Sequence, residues 1–197
     1  IDDGVEKSNG VRPLQPTLYF TRLAQRICSA LSAPTAEGKL YEIDIRLRPT
    51  GRVGPVVVQI DRYFEYLKTQ AWTWELMALT RARPVAGPEE AQATVCEGIR
   101  KTLTSITNEE KLRVDSVEMR KKMITQQKDA SKWNIKHRIG GLVDIEFILQ
   151  FLQLANANHN DQILSTNTLS ALRRLKTENI LCESAANSRE EALQFLQ

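Results

Sequence analysis

The sequence is poor in cysteine and histidine, and the few it has are unsuited to disulfides or zinc. The three cysteines, Cys28, Cys96 and Cys182, lie far apart, and none belongs to a C-x-x-C pair. The two histidines, His137 and His159, do not have the spacing of zinc ligands. With no signal-peptide pattern in the sequence, this predicts reduced thiols and a cytoplasmic protein without structural zinc.

Long apolar runs, internal repeats and low-complexity segments are also missing, which argues against a membrane span or a repeat architecture. The net charge of +3 is small and scattered along the chain, so nothing favours nucleic acid as a partner. A hydrophobic content of 42% over 197 residues is enough for a substantial core. Composition therefore predicts a soluble globular protein with neither a membrane nor a nucleic-acid partner.

The most informative segment is LYEIDIRLRPTGRVGP, residues 40–55, which alternates with a period of two. This pattern predicts a strand with one apolar and one charged face. The apolar face would carry Tyr41, Ile43, Ile45 and Leu47, and the charged face Glu42, Asp44, Arg46 and Arg48. A carboxylate can hold a divalent cation and fixed arginines can bind phosphate, so one interpretation is metal-assisted nucleotide chemistry. The other is a solvated strand on which Asp44 pairs with Arg46 or Arg48.

Apolar periodicity elsewhere predicts a mainly helical chain, with helices at 17–32, 60–80, 88–103, 112–126, 143–155, 164–175 and 189–197. Residues 56–60 could form a second strand. Composition and breaker residues divide the chain into an incomplete α/β piece at 1–87 and an all-helical piece at 88–197. Because two or three strands cannot make a stable open sheet, the first piece must rely on its helices.

Several charged residues outside the strand are also candidates for a site. Arg81 and Arg83, just before Pro84, could neutralise triphosphate charge or stabilise a helix C-terminus. Gly140 and Gly141 precede an apolar helix whose free amides could bind an anion.

Glu146 and Gln150 lie one turn apart and interrupt that apolar helix, so they need partners, for which Arg46, Arg48 or Lys136 are candidates. Asp144 lies in the first turn of the helix, and a structural or site-supporting role is favoured for Asp144 and Glu146 over direct catalysis. The basic run Arg120–Lys122 is interpreted as a solvated face.

Four segments, in this order and spacing, resemble the glutamine synthetase adenylyltransferase family: YEIDIRLRPTG, AWTWELMALTRARPVAG, MRKKM and GGLVDIEFILQFLQL. Such enzymes carry two nucleotidyltransferase units. The sequence of the second segment is similar to that of the C-terminal, adenylylating unit. The resemblance implies an α+β chain, with part of a nucleotidyltransferase-type mixed sheet at 1–87 and a bundle-like helical domain at 88–197. The implied activity is transfer of AMP from ATP to a tyrosine of glutamine synthetase, with AMP removal elsewhere in the whole enzyme.

The resemblance also implies roles for single residues. Asp44 would be catalytic as a magnesium ligand, with Glu42 as a second metal ligand. The arginines implied to contact the nucleotide are Arg46, Arg48, Arg81 and Arg83. Mg²⁺ and ATP are the implied cofactor and substrate. The implied partners are glutamine synthetase, the PII regulatory protein and glutamine as an effector.

One family motif is missing from the sequence. No Gly-Ser followed by Asp-x-Asp occurs, and Asp2 and Asp3 are adjacent, so they would point to opposite faces of a strand. We therefore expect a fragment that begins after the first metal motif and is inactive alone. The alternative is a non-catalytic helical module that docks glutamine synthetase or PII.

Overall fold

A computed structural model describes residues 7–39, 41–126 and 134–195 of the chain. The predicted predominance of helix is confirmed. The α-helices of the described part are α1 Pro16–Leu31, α2 Ile60–Thr69, α3 Thr73–Leu79, α4 Glu89–Thr104, α5 Glu109–Gln126, α6 Leu142–Asn156, α7 Thr168–Thr177 and α8 Glu183–Phe195. Short 3₁₀ helices cover Gly51–Val53 and Asp161–Ile163.

The sheet is much smaller than predicted. In the described part of the chain it consists of β1 (Pro34–Thr35) and β2 (Gly38–Lys39), an antiparallel pair in which Pro34 is opposite Lys39. The predicted strand with Glu42, Asp44, Arg46 and Arg48 on one face is wrong, and residues 56–60 form no strand either. The nucleotidyltransferase character of this piece stays a prediction.

Local hydrogen bonds explain why the alternating segment is not a strand. The Asp44 carboxylate accepts the backbone N–H of Arg46 at 2.9 Å. The next backbone bonds are also local, from Arg48 N–H to the Arg46 carbonyl at 3.0 Å and from Gly51 N–H to the Arg48 carbonyl at 2.8 Å. These groups are therefore used in turns rather than in a ladder with another strand. The predicted apolar face also stays largely exposed, with Tyr41 and Leu47 each 60% accessible.

The single helix predicted over 60–80 is two helices, separated at residues 70–72. Trp72 is extended, with φ −77° and ψ 154°, and its backbone N–H donates to the Glu75 carboxylate at 2.9 Å. This is half of a capping box, because the indole of Trp72 has no acceptor for the reciprocal bond. The bond from Trp72 to Glu75 therefore caps a new helix, which begins at Thr73, where the periodicity alone suggested a continuous helix.

The chain divides at this break into two compact units, residues 1–70 (the first unit) and 71–197 (the second unit). The predicted domain boundary between residues 87 and 88 stays a prediction. In the first unit, Leu67 is the only buried residue among those that the structure describes. The apolar side chains of α1, such as Leu23 and Ile27, are 41% and 50% accessible.

The second unit has a hydrophobic core built around α6. This helix is apolar on most of its surface and packs against α3, α5 and α7, while α7 packs against α8. The core cluster consists of Ile145, Leu149, Ile163, Leu172, Leu175, Ala186 and Leu193. None of the helices in the described residues is long and apolar enough to cross a bilayer.

Candidate functional site

Asp44 and Arg46 form a close ion pair in the first unit. The Arg46 Nε donates to both carboxylate oxygens, at 2.8 and 2.9 Å, and the Arg46 Nη2 donates to Oδ2. Hydrogen bonding to Asp44 raises the pKa of the Arg46 guanidinium above its ordinary value. The side chains of Arg46 and Asp44 are 64% and 52% exposed, so both remain open to a ligand. The pairing of Asp44 with Arg46, one of the two interpretations of the sequence, is present.

Arg48 closes the loop that follows. Its Nε donates to the Gly54 carbonyl at 3.1 Å and its Nη1 donates to the Ile45 carbonyl. A Cβ on Gly54 would lie 2.0 Å from the Pro49 carbonyl oxygen, so only glycine fits at this position. In this structure the glycines serve a tight turn closed by an arginine, and a phosphate contact by Arg48 stays a prediction.

The described residues do not form a complete magnesium site. Asp44 carries the carboxylate that the sequence favours, and Glu42 is exposed two residues before it. In the described ranges no group of three or more His, Cys, Asp or Glu residues is close enough to hold a metal ion. Magnesium is usually held by one or two carboxylates, substrate phosphates and water. Asp44 and Glu42 could supply part of such a shell, and their metal role stays a prediction.

Arg81 and Arg83 belong to the second unit and differ in their surroundings. The Arg81 Nη1 lies 2.6 Å from the Glu146 Oε1, which connects the end of α3 to α6. Arg83 has no hydrogen-bond or ion-pair partner among the described residues and lines a cavity of about 270 Å³. Contact of either arginine with a triphosphate stays a prediction, but only Arg83 has its guanidinium unengaged.

A partly buried ion pair between α5 and α6 was missed from the sequence. The Arg120 Nε donates to Asp144, and the Arg120 Nη2 donates to the His137 carbonyl at 2.9 Å. The side chain of Arg120 is only 11% exposed, so the interpretation of this basic run as a solvated face is wrong for Arg120. Helical spacing could have shown it, because Arg120 lies four residues after Ser116 and eight after Leu112, which are both buried.

The amide groups at the start of α6 are already hydrogen-bonded within the chain. The N–H groups of Leu142 and Val143 donate to the carbonyls of Ile135 and Lys136, at 3.4 and 3.0 Å. The Gly140 N–H donates to the Asp144 Oδ2 at 2.5 Å. The N–H groups predicted to bind an anion at this helix terminus therefore already donate to oxygen atoms of the protein itself.

Comparison with known proteins gives two adjoining matches. Residues 2–98 match the family model described as Glutamate-ammonia ligase adenylyltransferase, and residues 109–197 match the model described as GlnD PII-uridylyltransferase. The first match contains Glu42, Asp44 and the four candidate arginines, and the second contains Arg120 and Asp144.

Curated relatives match across both parts. The bifunctional glutamine synthetase adenylyltransferase/adenylyl-removing enzyme of Rhodopseudomonas palustris (strain TIE-1) is 39% identical over 196 residues, which is 100% of this chain and 20% of the relative. The enzymes of the same name from Brucella suis and Rhizobium meliloti are 46% identical over 78% and 88% of this chain, and 16% and 18% of their own lengths. The chain belongs to the glutamine synthetase adenylyltransferase family. It spans about a fifth of the length of these relatives.

Membership in the glutamine synthetase adenylyltransferase family confirms the resemblance seen in the four sequence segments. The YEIDIRLRP segment lies in the first unit as a turn-rich segment, and the AWTWE segment forms the start of α3. The GGLVDIEF segment starts α6, the central helix of the second unit. The family's segments thus divide between a poorly buried first unit and a well-packed second unit.

Proposed function

We propose that this chain is part of an enzyme that transfers AMP from ATP to a tyrosine of glutamine synthetase, and that it comes from the adenylylating unit. The observation that supports this most is the identity of 37–46% to enzymes named bifunctional glutamine synthetase adenylyltransferase/adenylyl-removing enzyme. The match of residues 2–98 adds the segment that carries Asp44. The assignment to the adenylylating rather than the removing unit rests on the AWTWE and ALTRAR segments.

The reaction needs no protein nucleophile. The tyrosine hydroxyl oxygen forms a bond to the α-phosphorus of ATP while the bond from that phosphorus to the bridging oxygen of the β-phosphate breaks. Pyrophosphate leaves, and the hydroxyl proton is lost to a base or to water. Arg46 and Arg48 would lie close to the phosphates, where guanidinium groups stabilise negative charge in fork-like contacts. Mg²⁺ and ATP are proposed as the metal and the nucleotide of the whole enzyme.

The proposed partners are glutamine synthetase, PII and glutamine. The relatives' names support glutamine synthetase as the protein substrate. The match of residues 109–197 to a PII-uridylyltransferase model supports PII as a regulator. Glutamine as an effector is proposed from the family resemblance alone. We place this regulation in the cytoplasm.

A docking module is the second candidate function. It is favoured by the second unit, which has its own hydrophobic core and matches a different family model from the first unit. In that case the chain would bind glutamine synthetase or PII without contributing to AMP transfer. Asp44 would then have only a structural role, through its ion pair with Arg46.

Calorimetric titration with ATP, with and without magnesium, tests the proposal. It is made on this chain and on a longer protein, the proposed whole enzyme, that contains it. Asp44→Asn is the test variant, and Glu65→Gln is the matched control, because Glu65 is an exposed carboxylate of α2 with no side-chain partner among the described residues.

We expect magnesium-dependent binding by the longer protein, its loss in Asp44→Asn and its retention in Glu65→Gln. If both chains bind ATP equally and Asp44→Asn has no effect, the proposed site is wrong. ATP binding by the longer protein that Asp44→Asn leaves intact, together with binding of glutamine synthetase or PII by this chain, would instead identify the docking module.

A further inference from the structure

A cavity of about 270 Å³ lies within the second unit, between the chain after α3, the helix α4 and the loop before α7. Its walls are mainly apolar, from Ala82, Ile99, Leu103 and Leu164. Arg83, Cys96, Ser165 and Thr166 also line it. The volume is just below the usual range for drug-sized ligands, so the cavity suits a small metabolite rather than a nucleotide.

The wall formed by residues 161–166 is held in place by side-chain hydrogen bonds from three helices. The Arg100 Nη1 donates to the Asp161 Oδ2 at 2.7 Å. The Ser165 N–H donates to the Oε1 of Gln153, a side chain that is only 2% exposed, at 2.8 Å. The Arg174 Nη1 donates to the Gln162 carbonyl at 3.1 Å. The cavity is therefore pre-formed by a fixed loop, which lowers the entropic cost of binding a ligand.

The two arginines that line the cavity differ in their pairing. Arg100 is neutralised by Glu97 and Asp161, both within hydrogen-bond distance. Arg83 has no hydrogen-bond or ion-pair partner among the described residues. A guanidinium that faces an apolar cavity without a carboxylate of its own favours an anionic group from a ligand.

We propose that this cavity binds a small organic anion, with its carboxylate or phosphate on Arg83 and its apolar body against Ile99, Leu103 and Leu164. The apolar walls provide the affinity for the body of the ligand, and Arg83, the unpaired arginine among the described lining residues, selects one acidic group. The proposal uses none of the residues proposed around Asp44, and its test involves neither ATP turnover nor magnesium.

Cys96 provides a reporter inside the cavity. In a Cys28→Ser/Cys182→Ser background it is the one remaining cysteine of the sequence, and it is exposed. The measurement is the rate of Cys96 alkylation by iodoacetamide, a neutral reagent, in the presence of hexanoate, hexyl phosphate or hexanol. Arg83→Gln is the test variant. Arg62→Gln is the charge-matched control, because Arg62 is exposed on α2 and does not line the cavity.

We expect hexanoate or hexyl phosphate to slow alkylation in a saturable manner and hexanol to have little effect. Whichever anion protects better identifies the acidic group that the cavity prefers. Arg83→Gln is expected to weaken protection by about tenfold, the cost of losing a charge-assisted hydrogen bond, while Arg62→Gln leaves it unchanged. Circular dichroism of each variant verifies its fold.

The proposal would be overturned by no protection by either anion, by equal protection by hexanol, or by full protection in a folded Arg83→Gln protein. Protection by metal-free ATP at least as strong as that by the six-carbon anions would also overturn it, because Arg83 would then belong to a nucleotide site.

Discussion

Arg120 of α5 donates to Asp144 of α6, and this ion pair connects two helices of the second unit with side chains that are only 11% and 22% exposed. Removing one member leaves a partly buried charge without its partner. We expect Arg120→Ala to lower the free energy of unfolding by about 2–3 kcal/mol, measured by urea denaturation.

Arg113 of the same helix is the matched control. It lies 2.7 Å from Glu110, but their side chains are 59% and 70% exposed. Water and salt screen an exposed pair of this kind, so Arg113→Ala should have little effect on unfolding. Equal losses in the two variants would show that burial does not distinguish these ion pairs.

Gly141 gives a prediction that opposes ordinary helix-capping preference. Serine is normally a better N-cap than glycine, and Gly141 is the N-cap of α6. However, a Cβ on Gly141 would lie 2.1 Å from the Ile135 carbonyl oxygen. We expect Gly141→Ser to destabilise the second unit by about 1–3 kcal/mol, the range for overpacking, measured by thermal unfolding.

Gly140 is the comparison for that variant. It has φ +78°, but a Cβ there would meet nothing within 4 Å. Asparagine tolerates this left-handed conformation, so Gly140→Asn should cost less than Gly141→Ser. The steric account is wrong if Gly141→Ser is as stable as the unmodified protein.

The Glu97–Arg100 pair predicts a specific pH dependence. Hydrogen bonds from Arg100 hold the pKa of the Glu97 carboxyl below its ordinary value. A carboxyl whose pKa is lower in the folded state stabilises the fold above its unfolded pKa, and this contribution is lost as the pH falls through the folded pKa. In an NMR titration, Arg100→Gln should return the pKa of Glu97 towards that of an ordinary glutamate.

Glu110 serves as the internal reference in the same titration. Its pKa is lowered by Arg113, which the Arg100→Gln change does not affect. Glu110 should therefore titrate at the same pH in both proteins. An unchanged Glu97 pKa in Arg100→Gln would show that another group is responsible for the shift.

Helices could be predicted from the sequence far better than the sheet. Apolar spacing located α1, α4 and α6 to within a few residues, because a helix satisfies its own backbone hydrogen bonds within one segment. A strand depends on a neighbour that the local sequence does not specify. In residues 41–46 the Asp44 side chain accepts a hydrogen bond from the backbone N–H of Arg46 and so competes with a neighbouring strand for that group. The alternation of apolar and charged residues could not reveal this competition.

The candidate site was predictable in its close pairs but not in its long-range contacts. The contact of Asp44 with Arg46 follows from a separation of two residues. The pairing of Arg81 with Glu146 joins residues 65 positions apart, and that of Arg120 with Asp144 depends on how α5 packs against α6. Such contacts are set by tertiary packing, which periodicity does not describe.

The most direct test of the central claim is transfer of AMP from α-labelled ATP to glutamine synthetase by the longer protein that contains this chain. We expect Asp44→Asn to lower the rate by about 100-fold or more, as when a group that stabilises transition-state charge is lost. Glu65→Gln should keep the unmodified rate. An Asp44→Asn protein that transfers AMP at the full rate would contradict the assignment of Asp44 to the catalytic site.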